Sequence, residues 1–218
     1  TINLPAGAGG VVASDVVAKA RPDGYTLLLM SNASAVSANL FKTLPFNAMK
    51  DFAPISTLGT FDLGLLARSD ARFRNAAELL AFARTHPGKL NIGSINVGST
   101  QHLSAELFKS RAGIDVQVVP FNGTPAVVTA LRSGQIDAAV EILSPVMPQI
   151  TGKALRAIAV MGERRNPALP NVPTADEGAG FPAGRRLDAD LGLAGGRIAV
   201  LQGDIEALRR EADGLDAE

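Results

Sequence analysis

Residues 96–102 read Asn-Val-Gly-Ser-Thr-Gln-His and join a short apolar run to an amphipathic segment. This order predicts a strand, a glycine turn and the first turn of a helix. The first backbone N–H groups of a helix have no intrahelical acceptor, and the helix dipole adds partial positive charge there. Asn96, Gly98, Ser99, Thr100 and His102 are therefore candidate ligand-binding residues for an anion such as a carboxylate. A plain glycine turn with Ser99 or Thr100 as the N-cap explains the same residues, and local sequence leaves both interpretations open.

Two further donor-rich loops follow predicted strands. Ser31 and Asn32 follow a strand over residues 25–30, and Asn122, Gly123 and Thr124 precede a predicted helix. Ligands of open α/β sheets bind at the carboxyl ends of the strands, where all three loops are expected to lie. Three such loops together favour a binding site for a small polar ligand over simple turns.

Glu141 is an acidic residue inside the apolar run Ala-Ala-Val-Glu-Ile-Leu. It is either a strand-end residue that reaches water or a residue of the binding cleft. In the cleft, it would accept a hydrogen bond from an ammonium or hydroxyl group of the ligand, or hold a water molecule.

The sequence offers no constellation for catalysis. It has two histidines, His86 and His102, and no cysteine, so a metal site built from soft ligands is not favoured. No Walker lysine follows a glycine loop, and neither a nucleophile elbow nor a nucleophile–base pair is present. We therefore predict no catalytic residue, no metal ligand and no cofactor; a turnover assay would test the alternative, an enzyme on the same scaffold.

Composition limits the class of partner. The 218 residues are 46% hydrophobic, and 21 basic side chains balance 21 acidic ones. A net charge of zero argues against nucleic-acid binding, so anion specificity must come from a local site. The sequence contains no apolar run of about 18 residues, the length that would predict a membrane span. The first residues, Thr-Ile-Asn-Leu-Pro, lack an initiator Met and an export signal, from which we expect missing upstream sequence.

Strands and helices alternate along most of the chain, which predicts an α/β fold with largely parallel sheets. Asn75 is the expected N-cap of one helix, and Gly113 and Gly134 are the expected C-caps of two others. A strand break is expected at Gly59. The first helix, near residues 11–20, places on one side the residues Val12, Val16, Val17 and Ala20.

The sequence after Phe181 has a different character. Apolar residues spaced three and four apart predict an amphipathic helix, which we expect to pack on its own domain rather than form a coiled coil. These residues are Ile198, Leu201, Ile205, Leu208, Ala212 and Leu215.

From about Asn3 to Gly180 the sequence resembles the Bug-type periplasmic solute-binding proteins of tripartite tricarboxylate transporters. The resemblance is carried by residues 5–29, 44–56, 78–109, 118–143 and 152–182. Within the last of these, residues 165–178, RNPALPNVPTADEG, are especially specific. The resemblance implies a type II-like, two-domain periplasmic binding protein that closes on a small organic carboxylate: a di- or tricarboxylate, an acidic amino acid or an aromatic acid. Membrane transporter subunits are the implied partners, and the periplasm is the implied location.

The resemblance also implies domain boundaries and ligand contacts. Domain two would be residues 68–180, and residues 1–67 with 181–218 would form an incomplete domain one. Contacts with the ligand carboxylate are implied for the loop from Asn96 to His102, for the region from Phe121 to Thr124, and for Ser31, Asn32 and Ala33.

Two departures from the family pattern affect this interpretation. The first strand and glycine loop of the family precede Thr1, and the sequence diverges after about Phe181. The alternative is therefore a truncated remnant that binds no ligand, or an interaction protein that uses the C-terminal amphipathic helix.

Overall fold

The structure, a computed structural model, describes residues 11–30, 43–48, 50–179 and 196–203. The chain divides into two compact units, one formed by residues 1–60 and 196–218 and the other by residues 61–195. Both units combine helices with a sheet, which confirms the predicted α/β class. The domain boundaries expected from the family resemblance stay a prediction. No helix within the described ranges has both the length and the apolar character needed to span a bilayer.

The described part of the first unit contains one helix and a three-stranded sheet. The helix α1 spans Val11–Ala18, and the strands are β1 (Leu27–Met30), β2 (Phe52–Phe61) and β8 (Gly196–Gly203), in the order β1-β8-β2. β1 and β8 are antiparallel. The small core of this unit consists of Ala13, Val17, Leu28, Phe46 and Phe52.

The structure corrects the prediction for the tail. Ile198 and Leu201 were assigned to an amphipathic helix, but both lie in β8. In the short run Arg-Ile-Ala-Val-Leu, the β-branched residues Ile198 and Val200 are two positions apart, so the run fits a strand as well as a helix. Hydrogen bonding to β1 stabilises the strand. The later positions of the predicted helix, from Ile205 to Leu215, lie outside the described residues.

The valines of α1 do not share one buried face. Val17 is buried with Ala13 and Ser14, whereas Val12 and Val16 are 45% and 56% exposed. Positions 13, 14 and 17 are three and four residues apart, so helix periodicity rather than valine content determines which side chains are buried.

The expected strand break at Gly59 is also wrong, because β2 continues to Phe61 and the next strand begins at Leu63. Space around Gly59 is open, so this glycine neither makes a close contact nor forces a turn. The interruption falls at Asp62, whose carboxylate accepts a hydrogen bond from Asn166 Nδ2 at 2.7 Å and whose carbonyl accepts one from the Leu143 amide.

The second unit contains the remaining elements in alternating order. They are β3 (Leu63–Arg68), α2 (Ala76–Thr85), β4 (Asn91–Ile95), α3 (Thr100–Ala112), β5 (Gln117–Phe121), α4 (Thr124–Ser133), β6 (Ala138–Ile142), α5 (Leu143–Thr151), β7 (Leu155–Val160) and α6 (Ala175–Ala179). The predicted caps are confirmed: Asn75 accepts a hydrogen bond from the Glu78 amide, and Gly113 and Gly134 end α3 and α4 in the left-handed conformation.

The sheet of the second unit has the strand order β5-β4-β6-β3-β7. β4 runs parallel to β5 and β6, while β3 is antiparallel to β6 and β7. Only β3 is therefore reversed, and the sheet is mixed. The carboxyl ends of β4, β5 and β6 meet at one edge, together with the beginning of β3.

Buried side chains alternate between the two faces of this sheet, as the pleat of a strand requires. One face packs against α2, α3 and α6 through residues that include Leu79, Phe108 and Ala175. The other packs against α4 and α5 through residues that include Val127 and Leu143. Two apolar layers thus hold the helices whose N-termini lie at the edge described above.

Candidate functional site

The turn between β4 and α3 has the geometry predicted from its glycine. Gly98 has φ 83°, in the left-handed region that favours glycine. Ser99 is the N-cap of α3, with φ −67° and ψ 158°. Its Oγ accepts a hydrogen bond from the His102 amide at 3.1 Å and donates one to the Ile95 carbonyl at 3.1 Å.

These two hydrogen bonds determine which donors of the turn remain available to a ligand. The Ser99 hydroxyl is fully used inside the protein, and Ser99 is only 8% exposed. No described residue accepts a hydrogen bond from the amides of Thr100 and Gln101, the first two residues of α3. Backbone amides at the positive end of the helix dipole, rather than the Ser99 hydroxyl, are therefore the donors that this turn leaves for an anion.

The turn between β5 and α4 is built in a similar way. Gly123 is the N-cap, with φ 89°, and no side chain caps this helix. Pro125 has no amide hydrogen, and the Ala126 amide donates to the Gly123 carbonyl. The Thr124 amide is left without a described acceptor, and Asn122 is exposed beside it. This loop therefore adds one more amide at a second helix N-terminus.

Strand register brings the two turns to the same level. Ile95 and Phe121, the last residues of β4 and β5, are direct partners in the parallel ladder. β4 and β6 are also parallel, with Gly93 opposite Ala139, which places Glu141 level with Ile95. The glycine turns and Glu141 thus lie at one edge of one sheet.

Glu141 lies between the two helix N-termini and is fully buried. Thr124 Oγ1 donates to its Oε2 at 3.0 Å, and Gln101 Nε2 approaches the same oxygen at 3.5 Å. Its other oxygen, Oε1, is buried with no hydrogen bond of normal geometry from a described residue. Desolvation raises the pKa of Glu141, and hydrogen bonds from Thr124, Gln101 and the Ile142 backbone offset only part of that rise.

His102 points back to the sheet through one of its ring nitrogens. Its Nδ1 lies 3.1 Å from the Ser94 Oγ, and Ser94 is fully buried in β4. The contact fixes the ring beside the turn and leaves Nε2 for water or a ligand.

The structure brings together most residues that the sequence singled out. They are Asn96, Gly98, Ser99, Thr100, His102, Asn122, Gly123, Thr124 and Glu141. Ser31, Asn32 and Ala33 lie outside the described residues. Their role in ligand binding, like that of the residues brought together here, stays a prediction.

Gln101 lies within the loop implied to contact the ligand but was not itself predicted as a site residue. It is 3% exposed and connects α3 to Glu141. A usable signal was present, because the polar residues Gln101 and Ser104 are three positions apart, as on one helix face. Both are buried, so α3 places polar side chains against the strand ends where an ordinary helix would place apolar ones. Within the described residues, no group of three potential ligands could hold a metal ion.

The raised pKa of Glu141 predicts how stability depends on pH. The folded protein keeps the Glu141 proton above the usual glutamate pKa of 4.5, whereas the unfolded chain releases it there. The stability associated with the neutral form is complete below that pH and is lost as the pH rises through the folded pKa. Relative to the wild type, Glu141→Gln should therefore become progressively more stable from about pH 4.5 upward, and the difference should then level off.

Urea unfolding of both proteins at a series of pH values measures this difference. Glu106→Gln is the matched control, because Glu106 is a residue of α3 whose side chain is 45% exposed. The pH dependence of the difference from the wild type should be larger for Glu141→Gln than for this control. Parallel pH curves for the wild type and Glu141→Gln would show that Glu141 titrates normally.

Comparison with known proteins gives consistent similarities. A family model described as the tripartite tricarboxylate transporter family receptor matches residues 1–185. A UPF0065 protein of Pseudomonas sp. (strain P51) is 36% identical over 177 residues, which are 81% of this chain and 53% of that protein. The chain therefore spans about half the length of the curated relatives it matches.

Two solved structures share the fold at moderate identity. R. palustris Rpa4515 with adipate has a TM-score of 0.79 and 27% identity, and the match covers 89% of this chain and 62% of that one. MatC (Rpa3494) from Rhodopseudomonas palustris with bound malate has a TM-score of 0.77 and 29% identity, covering 91% and 65%.

Proposed function

The chain belongs to the tripartite tricarboxylate transporter receptor family, and we propose that it captures a small organic carboxylate for such a transporter. The observation that carries this proposal is the convergence of two helix N-termini at one sheet edge. The amides of Thr100, Gln101 and Thr124 have no described acceptor there.

A carboxylate suits this arrangement for electrostatic reasons. Its two oxygens accept hydrogen bonds from several N–H groups at once, and both helix dipoles place partial positive charge at the same edge. No arginine or lysine occurs in the turns 96–99 or 122–123. Selectivity would then depend on the spacing of backbone donors, which agrees with a chain of zero net charge.

The related structures suggest which acids to test. Those proteins are described with adipate and with malate, which are both small dicarboxylates. We propose the same chemical class for this chain, with tricarboxylates, acidic amino acids and aromatic acids as further candidates. The proposal includes membrane transporter subunits as partners and the periplasm as location. It also includes closure of domain one over the ligand, with donors from Ser31, Asn32 and Ala33.

A thermal-shift screen of the 218-residue chain tests the proposal. The panel contains adipate, malate, citrate, glutamate and nicotinate, with chloride at matched ionic strength as the control. A ligand present at about a hundred times its dissociation constant adds about 2.7 kcal/mol to the free energy of unfolding. A melt that no acid shifts would contradict the proposal.

Thr100→Pro connects any response to the α3 amides. Thr100 is the first residue of α3, where proline is well tolerated, and Ser99 already has the extended ψ that a following proline requires. The substitution removes one amide donor, and we expect affinity to fall by about tenfold or more, as for a lost hydrogen bond to a charged group.

Ala76→Pro is the matched control, because Ala76 is the first residue of α2 and is equally buried. It should change the melting temperature in the absence of ligand but not the response to ligand. Equal responses in both variants would place the bound acid away from α3.

A further inference from the structure

The Thr124 hydroxyl has one hydrogen to donate, and the structure commits it to Glu141. Thr124 Oγ1 lies 3.0 Å from Glu141 Oε2. Glu141 is fully buried, whereas Thr124 is partly exposed at the first position of α4. Thr124 is thus the direct link between the buried acid and the surface at which we place the ligand. While Glu141 is ionised, the Thr124 hydrogen is donated to it, and toward the ligand the Thr124 oxygen can only accept hydrogen bonds. A ligand carboxylate has no hydrogen to donate to that oxygen.

We propose that capture of a carboxylate at this edge takes up one proton, which is bound by Glu141. This inference rests on the proposed function. A proton from solvent forms an O–H bond at Oε2, and this new hydroxyl donates to Thr124 Oγ1. The Thr124 hydrogen then rotates away and donates to an oxygen of the ligand. No other covalent bond changes, and the neutralised Glu141 balances the negative charge that the ligand brings.

Three features of the site favour this exchange. A second carboxylate placed near a buried one disfavours ionisation of the first, because like charges repel strongly where water is excluded. Burial alone already favours the neutral form of Glu141. In addition, its Oε1 lacks a normal hydrogen bond from a described residue, so the ionised group is incompletely solvated by the protein.

Proton uptake by Glu141 has to be distinguished from proton uptake by other titratable groups near this edge. On α3 they are His102 and, further along, Glu106, Lys109 and Arg111; before β3 it is Asp62. The described α5 contains no charged residue, and the single one on α4, Arg132, lies in its last turn. His102 needs its own variant, because a protonated imidazole would also favour anion binding at low pH.

Isothermal titration of the full chain with adipate and malate tests the inference. Titrations in buffers of different ionisation enthalpy count the protons taken up. The wild type should take up about one proton per ligand bound. Its affinity should increase by up to about tenfold for each unit by which the pH falls, over the range in which Glu141 is ionised in the free protein and neutral in the complex. Protonation of the ligand itself acts in the opposite direction, because it weakens binding.

Glu141→Gln provides the decisive comparison. Its amide can donate to Thr124 at every pH, so it should bind the acid with no proton uptake and with little pH dependence. Glu106→Gln and His102→Asn should keep the uptake. In the wild type, the Glu141 side-chain carboxyl ¹³C signal should move from its ionised to its neutral position when ligand is added at neutral pH, a measurement that depends on no variant.

The possible failures are distinct. If the wild type and Glu141→Gln bind with the same proton count, or if uptake disappears in His102→Asn but persists in Glu141→Gln, the inference is wrong and the proposed function stands. If no acid binds to the wild type or to Glu141→Gln at any pH, the proposed function fails, and the inference fails with it.

Discussion

Phe108→Ala is expected to lower the free energy of unfolding by about 3–5 kcal/mol. The Phe108 side chain is fully buried between α3 and the sheet and belongs to the larger of the apolar layers. Alanine removes most of its buried surface and leaves a cavity that the surrounding sheet can fill only in part. Chemical denaturation at a fixed pH measures the loss.

Phe82→Ala is the matched control for this substitution. Phe82 contacts the same layer from α2 but is partly exposed, with its ring stacked on His86 at 4.3 Å between centroids. Its loss should destabilise the protein by clearly less. Equal effects for the two phenylalanines would contradict the position assigned to α3, on which the site depends.

Thr124→Val is expected to lower the free energy of unfolding by about 1.5–3 kcal/mol at neutral pH. Valine keeps the shape of threonine but removes the hydroxyl that donates to the buried Glu141. The buried carboxyl group then loses its best donor, and the cost is greatest while that group is ionised. The loss should become smaller in acid, because a neutral carboxyl group needs that donor less.

Thr129→Val tests the specificity of this effect. Thr129 lies on the same helix, but it is exposed and its hydroxyl donates to the Pro125 carbonyl. Its substitution should be nearly neutral. In a double-mutant cycle, Thr124→Val should cost much less in a Glu141→Gln background, and fully additive effects would show that the two side chains do not interact.

Local signals in the sequence correctly predicted the ends of several helices. Asn75, Gly113 and Gly134 lie where capping chemistry places them, because a cap depends on the few residues around it. The same local chemistry predicted a glycine turn around Gly98, with Ser99 or Thr100 as the possible cap, and a loop with Gly123 before a helix. The fold class followed from the alternation of strands and helices.

Features that depend on residues distant in the sequence could not be predicted from local sequence signals. The run around Ile198 has both helical and strand periodicity, and its pairing with β1 and β2 makes it a strand. The reversal of β3 within an otherwise parallel sheet is likewise a property of the assembled sheet. Composition around Gly59 suggested a break because glycine is often found in turns, yet β2 simply continues through it.

The candidate site likewise combines features that local sequence predicts with contacts between distant residues that it does not predict. Its two turns were predictable from sequence, but the contact of Glu141 with Gln101 and Thr124 joins residues 40 and 17 positions apart. No local pattern reveals that two helices and a strand end enclose one carboxyl group. The sequence left the Ser99 hydroxyl open as either a helix cap or a ligand contact. In the structure it accepts the capping hydrogen bond from the His102 amide and donates to the Ile95 carbonyl.

The central claim is that backbone amides at two helix N-termini hold a carboxylate, and an amide chemical-shift titration tests it most directly. The isotope-labelled 218-residue chain would be titrated with adipate, with chloride as the control. The account predicts saturable shifts that are largest for the amides of Thr100, Gln101 and Thr124 and negligible around the Asn75 cap. Saturation with the largest shifts elsewhere, or no saturable shift with any acid of the panel, would contradict it.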